Sequence, residues 1–370
     1  MKKLYYLSIS CFGDTDMGFL YHLAKTFDIT YGVLFIDDVS NFSKTELANY
    51  CKKYNIKFEP YFFTRRQRDI RIAFEFIKVL KNIKKANPDI IYTFSFDNPI
   101  FSIIGLSLNK KKTIIFIHDV EFHSSYPFSY FFKIGRKITI FHFSFFQVFS
   151  KNQEAIFRKR YPKKKVYTIS KTTSDYGNVK CYKKDLGYGT KKIRFLFFGK
   201  ILIYKGLDQL IRAMNRLSYK YSNFELVIAG RCDNWETAYE PLIENKNIII
   251  KRIGRIENVE IPDLFKSCDY LVLPYKDATQ SGPLMIAYNY NLPVIASNIE
   301  AFREVIEEGT SGYFFDRSDP KGLESVLEAA IHQSRDEYEL LVDKLKQYVH
   351  TNFSVESISK KYESMLSDFK

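Results

Sequence analysis

Short apolar runs alternate with helical patterns along this chain, and that alternation restricts the fold more than any other feature. Strands buried on both faces read as near-continuous apolar runs, and parallel strands need a crossover between them, usually a helix. In the first half the predicted strands are 4–8, 30–35, 56–62, 90–94, 113–117, 146–149 and 166–169. In the second they are 193–198, 225–229, 248–251, 270–273 and 293–296. Helical periods fall between them, carried by Leu20, Leu23 and Ala24, by Ile70, Phe74, Ile77 and Leu80 or Lys81, and by 207–217, 261–267, 283–290 and 320–333. Asp319-Pro320 reads as the cap and first-turn proline of the last of these, and 354–369 as a separate capped helix. The fold class is α/β, with two doubly wound parallel sheets. Domain one is 1–170, domain two is 191–353, and the polar stretch 171–190, with Gly177, Gly187 and Gly189, is the linker.

A chain of 370 residues with 46% hydrophobic and 17% aromatic content is ample for two cores, so disorder is not the default reading. The five cysteines are dispersed and lack a Cys-x-x-Cys spacing, so neither a disulfide frame nor a zinc site is expected, and a reducing cytosol fits. Residues 4–10 follow two lysines but run into Gly13-Asp14 without a cleavage pattern, and they read as the first strand rather than a signal peptide. The longest uncharged run, 138–150, falls short of the roughly 20 residues that span a bilayer. Charge is uneven: residues 1–190 hold 32 Lys+Arg against 16 Asp+Glu, and residues 191–370 hold 24 against 26. An anionic partner for the first half follows. Arg65, Arg66, Arg68 and Arg71, the runs 110–112 and 163–165, and the aromatic stretch 126–132 point to anionic lipid, at about 1 kcal/mol per cation near such a surface. No nucleic-acid-binding module is present, so nucleic acid is not expected as a partner.

Two segments carry the chemistry. The run ending at Phe198 is followed by Gly199, which lets the chain turn, and by Lys200 and Lys205, two cations at the carboxyl end of a strand, where open α/β sheets bind ligands. In Thr279-Gln280-Ser281-Gly282-Pro283, Pro283 suits a first helical turn with Gly282 as cap, leaving the amides of Leu284 and Met285 free to attract phosphate. His118 ends the fifth predicted strand. Gly13 and Asp14 follow the first, where Gly13 permits close backbone approach, and Asp14 or Asp16 either orients an acceptor hydroxyl or caps a helix beginning near Gly18.

Phe198-Gly199-Lys200, Tyr204-Lys205-Gly206-Leu207-Asp208, Ser281-Gly282, Pro293-Val294-Ile295-Ala296-Ser297, and Gly309 with Gly312 ahead of Phe314-Phe315 stand in the order and spacing of one family. The chain resembles the family-4 glycosyltransferases, strongly over 192–326. The resemblance implies the GT-B fold, two Rossmann-like domains facing across a cleft, with the last helix crossing back onto the first domain. It implies that Lys200 and Lys205 hold the donor diphosphate, that His118 contacts the transferred sugar, and that Arg231, Gly254 and Arg255 lie by the nucleobase. Family members carry two glutamates seven residues apart where this chain has Ala278 and Ile286. Gln280, Ser281, the amides after Gly282, and Asp277 are the substitutes, and the chain resembles a variant branch with Thr-Gln-Ser-Gly.

The function so implied is transfer of a hexose-type sugar from a nucleotide diphosphate donor to a lipid-linked or cell-surface polysaccharide acceptor, with retention. The catalytic set is His118, Lys205 and Lys200, with Asp14 beside the acceptor hydroxyl. No metal and no cofactor beyond the donor substrate is expected, and the protein is expected in the cytoplasm, on the inner face of the membrane. Two rivals stand: an inactive nucleotide-sugar binding protein, motivated by the missing glutamates, and a GT-B nucleotide-sugar epimerase, which has no use for a basic first domain.

Overall fold

The computed structural model describes residues 1–36, 42–66, 68–121, 129–179 and 192–369. The chain divides into two compact units, Met1–Thr172 with Phe353–Lys370, and Thr173–Asn352.

The first unit is built on β1 (Lys2–Ile9), β2 (Phe27–Ile36), β3 (Lys57–Phe63), β4 (Ile90–Phe94), β5 (Thr113–Phe116), β6 (Phe145–Val148) and β7 (Lys165–Thr168). They form one parallel sheet in the order β3-β2-β1-β4-β5-β6-β7. The order reverses between β1 and β4, which makes their carboxyl ends the switch point of the sheet. Its helices are α1 (Gly13–Leu23), α2 (Lys44–Lys53), α3 (Ile72–Ala86), α4 (Pro99–Gly105), α5 (Ser129–His142) and α6 (Lys151–Arg160). With the usual right-handed crossovers, this order places α1 and α2 on one face and α3 to α6 on the other. The uncharged run 138–150 resolves into the end of α5, a turn, and β6.

The second unit has β8 (Ile193–Phe198), β9 (Phe224–Gly230), β10 (Ile249–Ile253), β11 (Tyr270–Leu273), β12 (Val294–Ser297) and β13 (Gly312–Phe315), ordered β10-β9-β8-β11-β12-β13. Every pairing is parallel, and the switch point lies between β8 and β11. Its helices are α7 (Leu207–Ser218), α8 (Trp235–Ala238), α9 (Ile261–Lys266), α10 (Gly282–Asn289), α11 (Glu300–Arg303), α12 (Gly322–His332) and α13 (Arg335–Phe353). The core joins Phe195, Phe197, Leu210, Met214, Leu226, Ile228 and Val272 with Leu327 of α12 and Tyr338 of α13. The last helix, α14 (Val355–Ser367), belongs to the first unit. Tyr362 on α14 stacks on Phe19 of α1 with ring centroids 4.2 Å apart and planes 7° from parallel.

Four expectations change. The helix after Asp319-Pro320 begins only at Gly322, because Asp319 closes a turn by accepting from the Lys321 amide at 2.9 Å and, through its carbonyl, from Gly322 N at 3.0 Å. In α3 the buried face is Ile72, Phe76, Val79, Leu80 and Ile83, while Ile70 and Phe74 are exposed. β13 and α13 are elements the sequence reading did not name. The segment expected as a linker is described to residue 179, and there it is bonded onto the second unit: Ser174 N donates to Met285 O at 3.2 Å and Tyr176 N to the Tyr290 hydroxyl at 3.0 Å.

Candidate functional site

In the second unit, the loops leaving β8 and β11 flank the switch point. Gly199, at φ +101°, ends β8, and its amide still donates to Ala229 O at 2.9 Å. A short 3-10 turn, Ile203–Lys205, then leads to Gly206, at φ +69°, where an added Cβ would meet Pro274 O at 2.0 Å. The turn is tied to the chain after β11, since Lys276 N donates to Tyr204 O at 2.6 Å. Lys205 is thereby folded inward and buried, its Nζ 5.5 Å from the centre of the Tyr275 ring. A Cβ on Gly199 would lie 3.2 Å from that Nζ and 3.5 Å from Pro283 Cγ, so the ammonium sits between the β8 turn and the start of α10. No carboxylate pairs with it among the described residues. Burial pushes its pKa down to about 8.

The start of α10 differs from expectation. Ser281, not Gly282, is the cap: its Oγ accepts from Leu284 N at 3.4 Å, so that amide is already engaged and Pro283 follows in the first turn. Beside it, both amide atoms of Gln280 are shielded from solvent and make no hydrogen bond among the described residues. A buried primary amide without partners costs free energy unless a ligand supplies them. Ile286 is buried in α10, and Asp277 is exposed on the loop.

Lys200 is exposed, in contrast to the buried Lys205. Arg231 and Arg255 are also exposed, ion-paired with Asp233 at 3.2 Å and Glu257 at 3.3 Å. Gly230 and Gly254, at φ +149° and +141°, stand with Gly199 as a row of side-chain-free positions at the ends of β9, β10 and β8. At Gly230 a Cβ would meet Gly199 O at 2.0 Å.

In the first unit, His118 lies two residues past β5. Its Nδ1 is 3.1 Å from Asp119 Oδ2, its Nε2 is 2.9 Å from Lys171 Nζ, and Phe12 stacks on its ring at 5.3 Å. Asp14, in the first turn of α1, contributes negative charge near Lys171. Gly13 has a different role from the one expected. It is helical, at φ −55°, and the space its missing side chain leaves is filled by Phe42, 2.7 Å from where Cβ would be. Asp16 is no cap: α1 starts at Gly13, and the buried Asp16 carboxylate accepts from the Tyr6 and Tyr31 hydroxyls, both at 2.7 Å. Lys171, Tyr275 and Phe12 escaped sequence reasoning. Gly230 carried the same signal as Gly199, a glycine closing an apolar run.

Over its full length the chain matches the structure of Anabaena HepE in complex with UDP and glucose, with a TM-score of 0.73 at 14% identity, covering 100% of each chain. The fold is GT-B. Within that GT-B chain, residues 179–348, inside the second unit, match the family described as Glycosyl transferases group 1. An uncharacterized 41.2 kDa protein in the cps region of Klebsiella pneumoniae is 26% identical over 139 residues, 38% of this chain and 37% of that one. A GDP-mannose:glycolipid 4-beta-D-mannosyltransferase of Xanthomonas campestris is 27% identical over 122 residues, 33% of this chain and 35% of that one. The matches thus span little more than a third of these curated relatives' length.

Proposed function

We propose that this chain is a retaining glycosyltransferase, of hexosyl type, that takes a sugar from a nucleoside diphosphate donor to a lipid-linked or cell-surface polysaccharide acceptor. The observation that carries the reading is Lys205, a buried ammonium with no carboxylate partner among the described residues, held against Gly199 and the first turn of α10. Such a charge needs an anion, and a diphosphate supplies one. In transfer, the bond from the sugar's anomeric carbon to the diphosphate oxygen breaks, and a bond to the acceptor oxygen forms on the same face. The acceptor's proton passes to the departing phosphate. Lys205, with Lys200 at the rim and the helix start at Gly282, neutralises the charge that develops, so the scheme calls for no metal ion. Gln280 offers its amide to sugar hydroxyls, His118 positions the sugar, and Asp14 orients the acceptor. The backbone of Gly199, Gly230 and Gly254 gives the nucleotide close approach, with Arg231 and Arg255 at its edge and Asp277 beside the sugar.

HepE with UDP and glucose, and a relative named for GDP-mannose and a glycolipid, support the donor and acceptor classes. The acceptor class suggests work at an anionic membrane surface in the cytoplasm. Among the described residues no helix is long and apolar enough to cross a membrane. The first unit instead exposes Ile70, Phe74, Ile103, Tyr130 and Phe141 along the helix layer α3 to α5, among the exposed cations Arg66, Lys78, Lys81, Lys133 and Lys137. Several cations expected there are occupied. Arg65 and Arg71 pair with Asp69, Lys112 donates to Pro88 O, and Lys164 donates to the carbonyls of Phe141 and Phe143. Of the aromatic stretch 126–132, residues 126–128 lie outside the described residues.

Thermal shift with UDP and with GDP tests the donor site. A nucleotide at about 100 times its dissociation constant stabilises by roughly 2.7 kcal/mol. One nucleotide is expected to raise Tm in the natural chain and not in Lys205→Ala. A shift of equal size in the variant, or none with either nucleotide, would count against the reading.

A further inference from the structure

No sequence pattern singles out Lys171, yet its ammonium is a close polar neighbour of His118. It arrives at the carboxyl edge of the sheet on the chain leaving β7, two strands from His118, and rests 5.6 Å above the Phe149 ring. The imidazole is engaged on every side. Nε2 faces Lys171 Nζ at 2.9 Å, and Nδ1 faces Asp119 Oδ2 at 3.1 Å. Phe12 lies nearly parallel to the ring, 17° off, and Phe149 approaches at 5.8 Å.

An ammonium has donors and no acceptor, and an ionised carboxylate has acceptors and no donor. Only one state of the ring satisfies both neighbours: a proton on Nδ1 and a lone pair on Nε2. We propose that Lys171 is a positioning residue for His118, donating to Nε2 and, with Asp119 across the ring, holding it as the neutral Nδ1–H tautomer in a single orientation. Burial pushes the Lys171 pKa down, while the carboxylates of Asp14 and Asp119 oppose that shift and favour the charged, donating form. With Nε2 already accepting, His118 has no proton on that nitrogen to give. It serves as a fixed polar wall, not as an acid. The clamp stands on geometry alone; only its bearing on transfer rests on the reading of His118 as a sugar-positioning residue.

The test is nitrogen-15 NMR of the full chain labelled at histidine, recorded near pH 8. The chain has six histidines, and His118→Gln assigns the resonance. The natural chain is expected to show His118 with Nδ1 protonated and Nε2 unprotonated. In Lys171→Met the Nε2 signal moves as its donor is lost, and in Lys171→Arg it returns toward the natural position. A protonated Nε2 in the natural chain would overturn the proposal, as would an Nε2 signal indifferent to Lys171→Met. With His118 assigned, a protonated Nε2 in the natural chain overturns the proposal whether or not Lys171→Met folds, and Lys171→Arg keeps the lysine's role readable if Lys171→Met does not. Nucleotide-induced stabilisation is read in the same samples: its absence everywhere would sink the donor-site reading without touching the tautomer result.

Discussion

Burial has lowered the Lys205 pKa from its ordinary 10.5 to about 8, and a lowered lysine has a definite signature in stability. Between those two values the unfolded chain binds the proton and the folded chain does not. Stability therefore rises with pH across that window, and at pH 7 the folded state carries the full cost of a buried charge. At about 1.36 kcal/mol per pKa unit, the cost is about 3 kcal/mol. Lys205→Met is expected to raise the second unit's Tm at pH 7, with the gain shrinking to nothing as pH passes about 10.5. A loss of stability at pH 7, or a gain independent of pH, would contradict this account. A buried charge that costs stability is what the proposed donor site requires. Lys205 was legible because it stands at fixed spacing from Gly199. Lys171 was not, because one lysine in a polar stretch carries no periodicity, and its meaning appears only when β5 and β7 come to one sheet edge.

At the level of elements, Gly206 and Gly309 make a matched pair. Both sit at φ +69°, but a Cβ on Gly206 would strike Pro274 O at 2.0 Å, whereas around Gly309 there is open space. Gly309→Ala is expected to cost about 1–2 kcal/mol, the price of left-handed backbone alone. Gly206→Ala should cost clearly more, because the turn that aims Lys205 must pull away from the chain after β11. Urea midpoints of the two variants measure the difference, and equal shifts would mean the close approach is not tight. Strands were the most legible elements: buried on both faces, they show as apolar runs with little competition. α3 was misread because Ile70, Ile72, Phe74, Phe76, Ile77, Val79 and Leu80 support two apolar stripes at helical spacing, and only packing against the sheet selects the one containing Ile72 and Phe76. β13 was missed as a strand of four residues whose Gly312 lacks a side chain because Val294 O would meet its Cβ at 2.0 Å.

On the scale of the whole molecule, the exposed pair Ile70, just ahead of α3, and Phe74, in its first turn, matters. Exposed apolar side chains among exposed cations suit an anionic bilayer, with the side chains entering the headgroup layer and the cations meeting lipid charge. In flotation with vesicles of anionic phospholipid, the natural chain is expected to rise with the lipid. Ile70→Glu with Phe74→Glu should leave it at the bottom while nucleotide-dependent Tm shifts persist. Binding that survives the double change would place the contact elsewhere. High salt should weaken association, since much of the attraction is electrostatic.

The return of α14 to α1 makes the second unit an insertion within the first. During synthesis the ribosome completes residues 173–352 as an uninterrupted stretch, so that unit can close while the first still lacks its last helix. The half that is made first is finished last. Until Tyr362 emerges to cover Phe19, the nascent first unit carries an open aromatic seam, and the interval in which a chaperone has something to hold is set by the time needed to translate the other domain.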